Sequence, residues 1–261
     1  MEVSLAGRTA LITGGSRGLG LAMASRFARS GADVAIVARR PEVLEEARAE
    51  IAAAAPGRTV LAIPADMSRA EDTQRAFNEA VAGLGRVDIL VNNAGTSATA
   101  PFEAISDQTW QDDFELKLFA AVRLCRLALP GMKERKWGRV INVLNSGAKA
   151  PPAGGAPTAV TRAAGMALTK VLAGEFAPHN VLVNALCTGI LVTEQWETRH
   201  QNLASGDSFE AFVAEHGKTV PLGRMGDTGE FANMACFLAS DAASYITGCA
   251  INVDGGKTPV V

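Results

Sequence analysis

The sequence predicts an α/β protein, a parallel sheet with helices on both faces. Short apolar and β-branched runs alternate along the whole chain with longer segments of helical spacing, which is the pattern of repeated βα units. A glycine-rich turn joins the first such run to the first helix. With 261 residues, 48% hydrophobic and 20% charged, the chain can bury a large core, and it reads as one domain over 1–261.

Strands are predicted near Thr9–Thr13, Asp33–Ala38, Thr59–Pro64, Val87–Asn92, Gly138–Leu144, Val181–Leu186 and Ala250–Val253. Helices are predicted near Arg17–Ser30, Pro41–Ala54, Arg69–Leu84, Ser106–Lys133, Thr158–Phe176 and Thr228–Ser240, with Gly31 and Gly85 at helix ends. Residues 194–220 read as one long irregular excursion carrying Trp196, Phe209 and Phe212. That insertion, at 190–220, is either a lid over a cleft or a surface loop.

The run Thr9-Ala10-Leu11-Ile12 leads into Thr13-Gly14-Gly15-Ser16-Arg17-Gly18-Leu19-Gly20 and then into a helix. A strand turning through glycines into a helix gathers backbone N–H groups and the positive helix end at one point, suited to a pyrophosphate. The second strand ends Val37-Ala38-Arg39-Arg40. An acid at that place would bind the adenosine ribose hydroxyls, whereas arginine accommodates a 2′-phosphate. With Arg39, Arg40 and Arg17 there instead, NADP(H) is favoured over NAD(H); the alternative is a solvated basic helix entry.

The net charge of -2 and the absence of a basic cluster argue against a nucleic-acid surface. No apolar run reaches membrane-span length, and Met1–Gly7 lacks the basic and apolar regions of a secretory signal. Cys125, Cys187, Cys236 and Cys249 lie far apart with no CxxC, as expected for buried thiols in a reducing cytoplasm. No His/Cys/Asp group has metal-ligand spacing, so neither a metal nor a covalent nucleophile is expected.

Thr13–Gly20, Asp66-Met67, Asn92-Asn93-Ala94-Gly95, Asn184-Ala185, Tyr245-Ile246-Thr247-Gly248 and Val253-Asp254-Gly255-Gly256 together resemble the short-chain dehydrogenase/reductase family almost end to end. The resemblance implies a Rossmann-type three-layer α/β/α sandwich with a seven-stranded parallel sheet in the order 3-2-1-4-5-6-7. It also implies coenzyme contacts from Gly14, Ser16, Arg17, Gly18, Leu19 and Gly20, from Asp66 and Met67 at the adenine, and from Asn93, Ala94 and Gly95 near the nicotinamide-side ribose. Gly189, Leu191 and Thr193 follow the sixth strand, where the family holds the pyrophosphate or carboxamide. By the same analogy the chain forms a homodimer or homotetramer, and the small residues of Thr158–Ala173 would let helices approach closely.

The family's Asn-Ser-Tyr-Lys set is replaced at each position. Asn145 stands for the serine, with Ser146 one place on; Thr158 and Arg162 stand for the tyrosine and lysine; Lys117 stands for the asparagine. Tyr245, the chain's single tyrosine, belongs to the C-terminal motif. Asn145 can still donate an N–H to a carbonyl, and Arg162 keeps a fixed positive charge that can bind ribose hydroxyls and the coenzyme. Thr158 is a poorer acid than a phenol and would leave a void. Lys117 is either a proton donor whose pKa is lowered by repulsion from Arg162, or a solvated helix residue pointing outward. His200 would reach a cleft only if the lid closed.

The wall Gly147–Pro157, rich in Pro, Gly and Ala, suits a small-molecule substrate, an apolar carbonyl compound. Three readings follow: an NADP(H)-dependent oxidoreductase with an altered proton relay, a catalytically inactive nucleotide-binding homologue, or a non-redox enzyme on the same fold.

Overall fold

The strand β1 (Thr9–Thr13) is buried along its whole length, because helices cover both of its faces. In the computed structural model, which describes residues 3–203 and 206–261, β1 is an interior strand, third from one edge, of a seven-stranded sheet. The other strands are β2 (Asp33–Ala38), β3 (Val60–Pro64), β4 (Ile89–Asn92), β5 (Gly138–Asn145), β6 (Val181–Thr188) and β7 (Ala250–Val253). All pairings are parallel, in the order 3-2-1-4-5-6-7 that the resemblance implied.

Side chains alternate between the faces with the period of two that a strand imposes. Ala10, Ile12, Val34, Ile36, Ile141 and Val143 enter one core with Met23, Phe27, Leu44 and Phe231. Leu11, Ala35, Val37, Leu90 and Val140 enter the other with Ala76, Leu124 and Met132. The first layer consists of α1 (Gly18–Arg29), α2 (Pro41–Ala54) and a C-terminal helix, and the second is built from α3 (Ala70–Leu84) and later helices.

The predicted helix Ser106–Lys133 is three pieces in one run. α4 (Asp107–Phe114) begins at Ser106, whose hydroxyl accepts from the Thr109 amide at 3.1 Å. A π turn over Glu115–Phe119 follows, and then α5 (Ala120–Glu134). A π turn pushes one extra residue into the ladder and re-aims the side chains it carries; here Lys117 sits at its middle. α6 (Thr158–Phe176) lies across β5 and β6.

Residues 194–220 are not an irregular excursion. They fold as α7 (Glu194–Leu203) and α8 (Phe209–Gly217), with Trp196, His200, Phe209, Phe212 and His216 packed ring against ring at centroid distances of 4.1–6.3 Å. Ala204 and Ser205 of the predicted lid, like Met1 and Glu2, lie outside the described residues. α9 (Thr228–Ala239) completes the first layer and opens on a capping box between Asp227 and Glu230. Cys125, Cys187 and Cys236 are buried as expected, but Cys249 is exposed. No described helix is long and apolar enough to cross a membrane.

Candidate active site

The turn between β1 and α1 is built so that only glycine fits several of its positions. Gly14 and Gly18 have φ of 66° and 53°, in the left-handed region. A Cβ on Gly20 would stand 2.0 Å from the Gly14 carbonyl oxygen, so that residue serves the seating of α1 on the loop. The side chain of Arg17, at the helix N-cap, makes no capping bond, which leaves the first amides of α1 available to an outside acceptor. Thr13, not singled out by sequence, organises the turn: its hydroxyl accepts from the Asn93 and Ala94 amides, each at 3.0 Å. The Asn93 side chain donates to the Thr13 carbonyl at 2.9 Å and to that of Gly14 at 3.2 Å, so its amide holds the loop rather than facing outward.

Beside this turn lies a cavity of about 180 Å³ lined by Gly14, Ser16, Arg39, Arg40, Asp66, Met67, Ala94 and Gly95, with Thr96 and Leu116 closing it. Eight of the predicted coenzyme residues are thus brought together in one place. Arg39, Arg40 and Arg17 form no salt bridge among the described residues. Thr193 lies against Gly18 across the start of α1, within about 4 Å of where a Cβ there would sit, and it lines a separate groove with Glu194 and Arg26. Leu191 turns its side chain into the core, and Gly189 is pressed against Asp254, where a Cβ would come within 2.4 Å.

At the other end of Gly95 stands a buried polar network. Lys117 is 6% exposed, Asp113 4%, Thr158 5% and Thr161 1%. The Lys117 ammonium donates to Asp113 Oδ1 and, at 2.8 Å, to Thr158 Oγ1. Thr161 Oγ1 donates to Asp113 Oδ2 at 2.6 Å. Thr158 Oγ1 also accepts from the Ala98 amide at 3.1 Å. A hydroxyl has two lone pairs and one proton. Both lone pairs of Thr158 are therefore engaged, and its O–H has no acceptor among the described residues.

Lys117 does not point outward; its ammonium is buried against the Thr158 hydroxyl. Burial holds the Lys117 pKa below its ordinary value, Asp113 pulls it back up, and repulsion from Arg162 adds the smallest push down. Desolvation, rather than the like charge expected from sequence, is the main cause. Arg162 donates to the Val143 carbonyl at 2.7 Å and lays its guanidinium against Gly95. Burial brings it down to about 10, against the pull of Asp113 and Cys187, so it stays cationic at neutral pH. Asn145 ends β5 with its Oδ1 buried beside Gly147 and unpaired among the described residues, which leaves the amide N–H₂ as its free end.

Asp113 and Thr161 were missed by sequence reasoning, although an acid one helical turn before Lys117 and a threonine three residues after Thr158 are both visible there. His200 is held inside the α7–α8 pair, its Nε2 2.9 Å from the Asp207 carbonyl. No group of His, Cys, Asp and Glu among the described residues has the arrangement of a metal site.

Residues 14–258 match a family model described as enoyl-(acyl carrier protein) reductase. The oxidoreductase UcpA of Escherichia coli O157:H7 is 35% identical over 97% of this chain and 95% of its own. A 3-oxoacyl-[acyl-carrier-protein] reductase, FabG of Aquifex aeolicus, is 32% identical over 98% and 99%. Among solved structures, L-sorbose reductase from Gluconobacter frateurii, complexed with NADPH and L-sorbose, superposes with a TM-score of 0.96 at 34% identity over 100% of both chains. With the sheet order, the glycine turn and a match running almost from end to end, the chain belongs to the short-chain dehydrogenase/reductase family of oxidoreductases.

Proposed function

We propose that this protein is an NADP(H)-dependent oxidoreductase of a carbonyl/alcohol pair in which Lys117 and Thr158 together replace the family's tyrosine as the proton relay. The carrying observation is the Thr158 hydroxyl, whose lone pairs are taken by Lys117 and Ala98 and whose own proton has no protein acceptor among the described residues. The glycine turn, the uncapped start of α1 and the cavity ending at Arg39 and Arg40 fit a dinucleotide carrying a 2′-phosphate. NADPH in the similar L-sorbose reductase supports the same choice. That coenzyme, when bound, supplies the hydride for reduction or takes it up in oxidation.

The remaining chemistry falls to the chain. Asn145 offers its amide N–H₂ to the substrate carbonyl oxygen and polarises it. As charge builds on that oxygen, Thr158 gives up its O–H proton and receives one from the Lys117 ammonium, which becomes a neutral amine. Oxidation runs the same transfers backward. Arg162 stays charged throughout and serves the ribose. A positioned acid is worth about 10²–10⁴ in rate, and the buried lysine, its pKa lowered by desolvation, meets that need better than an isolated threonine hydroxyl.

The Pro-, Gly- and Ala-rich stretch 147–157 favours an apolar carbonyl compound, with the α7–α8 pair as its lid. Exposed Phe119, immediately before α5, and Val160 and Val171 on α6 support pairing of these helices in a homodimer or homotetramer. The test is NADPH oxidation with a panel of ketones, quinones and aldehydes. Turnover that Lys117→Met abolishes without weakening NADPH affinity is expected. Tight NADPH binding with no oxidation across the panel overturns the catalytic reading.

A further inference from the structure

We propose that Asp113, clamped by Thr161, is the positioning residue that aims the Lys117 ammonium at Thr158 and sets the pH at which that ammonium releases its proton. The inference deepens the relay reading above and rests on it for its catalytic meaning. Nothing in the family's Asn-Ser-Tyr-Lys set requires an acid at this place; the pair exists because a lysine has taken the asparagine's position.

The geometry is specific. Asp113 is the last buried residue of α4, one turn before Lys117 in the π turn, so both side chains leave the same stretch of helix toward α6. Its two oxygens are divided between two partners: Oδ1 takes the ammonium and Oδ2 takes the Thr161 hydroxyl. Thr161 is anchored on α6 one turn from Thr158, so the carboxylate is fixed relative to the hydroxyl that Lys117 must reach. An ammonium on a flexible four-carbon stem has no preferred direction by itself. Here the acid holds it from one side and Thr158 from the other.

The charged groups acting on Lys117 are Asp113 from α4 and Arg162 from α6; the loop after β4 contributes the uncharged Ala98 amide by way of Thr158. Asp113 favours the proton on Lys117, Arg162 and burial disfavour it. Removing the negative charge therefore leaves only groups that drive the proton off. An opposite charge at this range is worth about one to three pH units. Loss of the Thr161 hydroxyl acts the other way. The carboxylate then keeps its whole charge for the ammonium, and Lys117 holds its proton to higher pH, by up to about one unit for one hydrogen bond.

The experiment is a pH titration of the full-length protein labelled with 13C at lysine Cε, the Lys117 signal being assigned by its loss in Lys117→Met. In Asp113→Asn the Lys117 midpoint should fall by about one to three units. In Thr161→Val it should rise by up to about one unit, and Thr161→Ser should restore the wild-type value. Thr161→Val keeps both charges paired and carries the test if Asp113→Asn does not fold. An unchanged midpoint in the Asn variant, or equal midpoints in the Val and Ser variants, overturns the proposal. The titration needs neither coenzyme nor substrate, so a protein that failed to reduce any carbonyl would defeat the relay reading while this result stood.

Discussion

Replacing Lys117 by methionine is a sharp test of the buried network, because it removes one charge and strands the other. Asp113 would keep the Thr161 hydroxyl but lose its only salt-bridge partner among the described residues, at 4% exposure. Breaking a buried pair from one side costs about 3–5 kcal/mol, a large share of the roughly 5–15 kcal/mol that holds a domain folded. Removing both charges is a different perturbation. In Asp113→Asn/Lys117→Met neither member of the pair is stranded, and Arg162 loses the attraction of Asp113 together with the repulsion of Lys117. The Asn side chain can still accept from Thr161, and Met fills the volume of the lysine stem. Stability is then expected within about 1 kcal/mol of the wild type. Equilibrium urea unfolding of the wild type, both single variants and the double variant closes the cycle, with a coupling of about 3 kcal/mol or more expected. A Lys117→Met variant that loses less than about 1 kcal/mol, or a double variant as unstable as the two singles summed, refutes the reasoning.

Other expectations concern coenzyme choice, pH and helix caps. Arg39→Ala should weaken NADPH binding about 10- to 150-fold, the worth of a charge-assisted hydrogen bond, while leaving NADH binding unchanged, as read by titration calorimetry with each coenzyme. The proposed relay needs Lys117 protonated for reduction, so that rate should fall as pH rises through the lowered Lys117 pKa, at a pH below the ordinary 10.5; oxidation should rise over the same window. Gly20→Ala would put a methyl group 2.0 Å from the Gly14 carbonyl and should abolish NADPH binding by displacing the turn, a result checked by coenzyme fluorescence. Asp227→Ala removes the cap of α9 and should cost about 1 kcal/mol in urea unfolding. Glu230, held down to about 2 chiefly by its hydrogen bond from Arg224, stabilises fully above about 4.5 and loses that contribution as pH falls toward 2. Glu230→Gln should flatten the loss of Tm over this interval.

The parallel sheet was legible because each strand is a short apolar run between helical segments, and β1, β2 and β7 have the bounds expected from sequence. β6 continues to Thr188 beyond its expected end at Leu186, because β5 and β7 on either side supply partners that a single sequence does not display. The α7–α8 pair was not legible. Glu194–Leu203 is polar over most of its length and shows no apolar stripe; its helix depends on Trp196 meeting Phe212 and His216 of α8. The Ser208 cap of α8, which accepts from the Ala211 amide, was a signal that could have been used.

At the candidate site, the glycine turn and the two arginines were readable because their spacing follows from the strand and helix they join. The fate of Lys117 was not. Whether a lysine in a long helix points inward depends on the π turn and on an acid buried beside it, and helical periodicity places a polar pair by default in solvent. Asn93 was read as a coenzyme contact; the sequence did not show that its side-chain N–H₂ also holds the turn, by donating to the Thr13 and Gly14 carbonyls.

The relay through Thr158 is tested most directly by comparing Thr158→Ser with Thr158→Val in NADPH-dependent reduction of whichever carbonyl compound the wild type turns over. The serine keeps a hydroxyl between Lys117 and the substrate oxygen and should hold the rate within about tenfold, whereas the valine should lose about 10²–10⁴ in kcat with NADPH affinity unchanged. A valine variant as fast as the wild type would contradict the account.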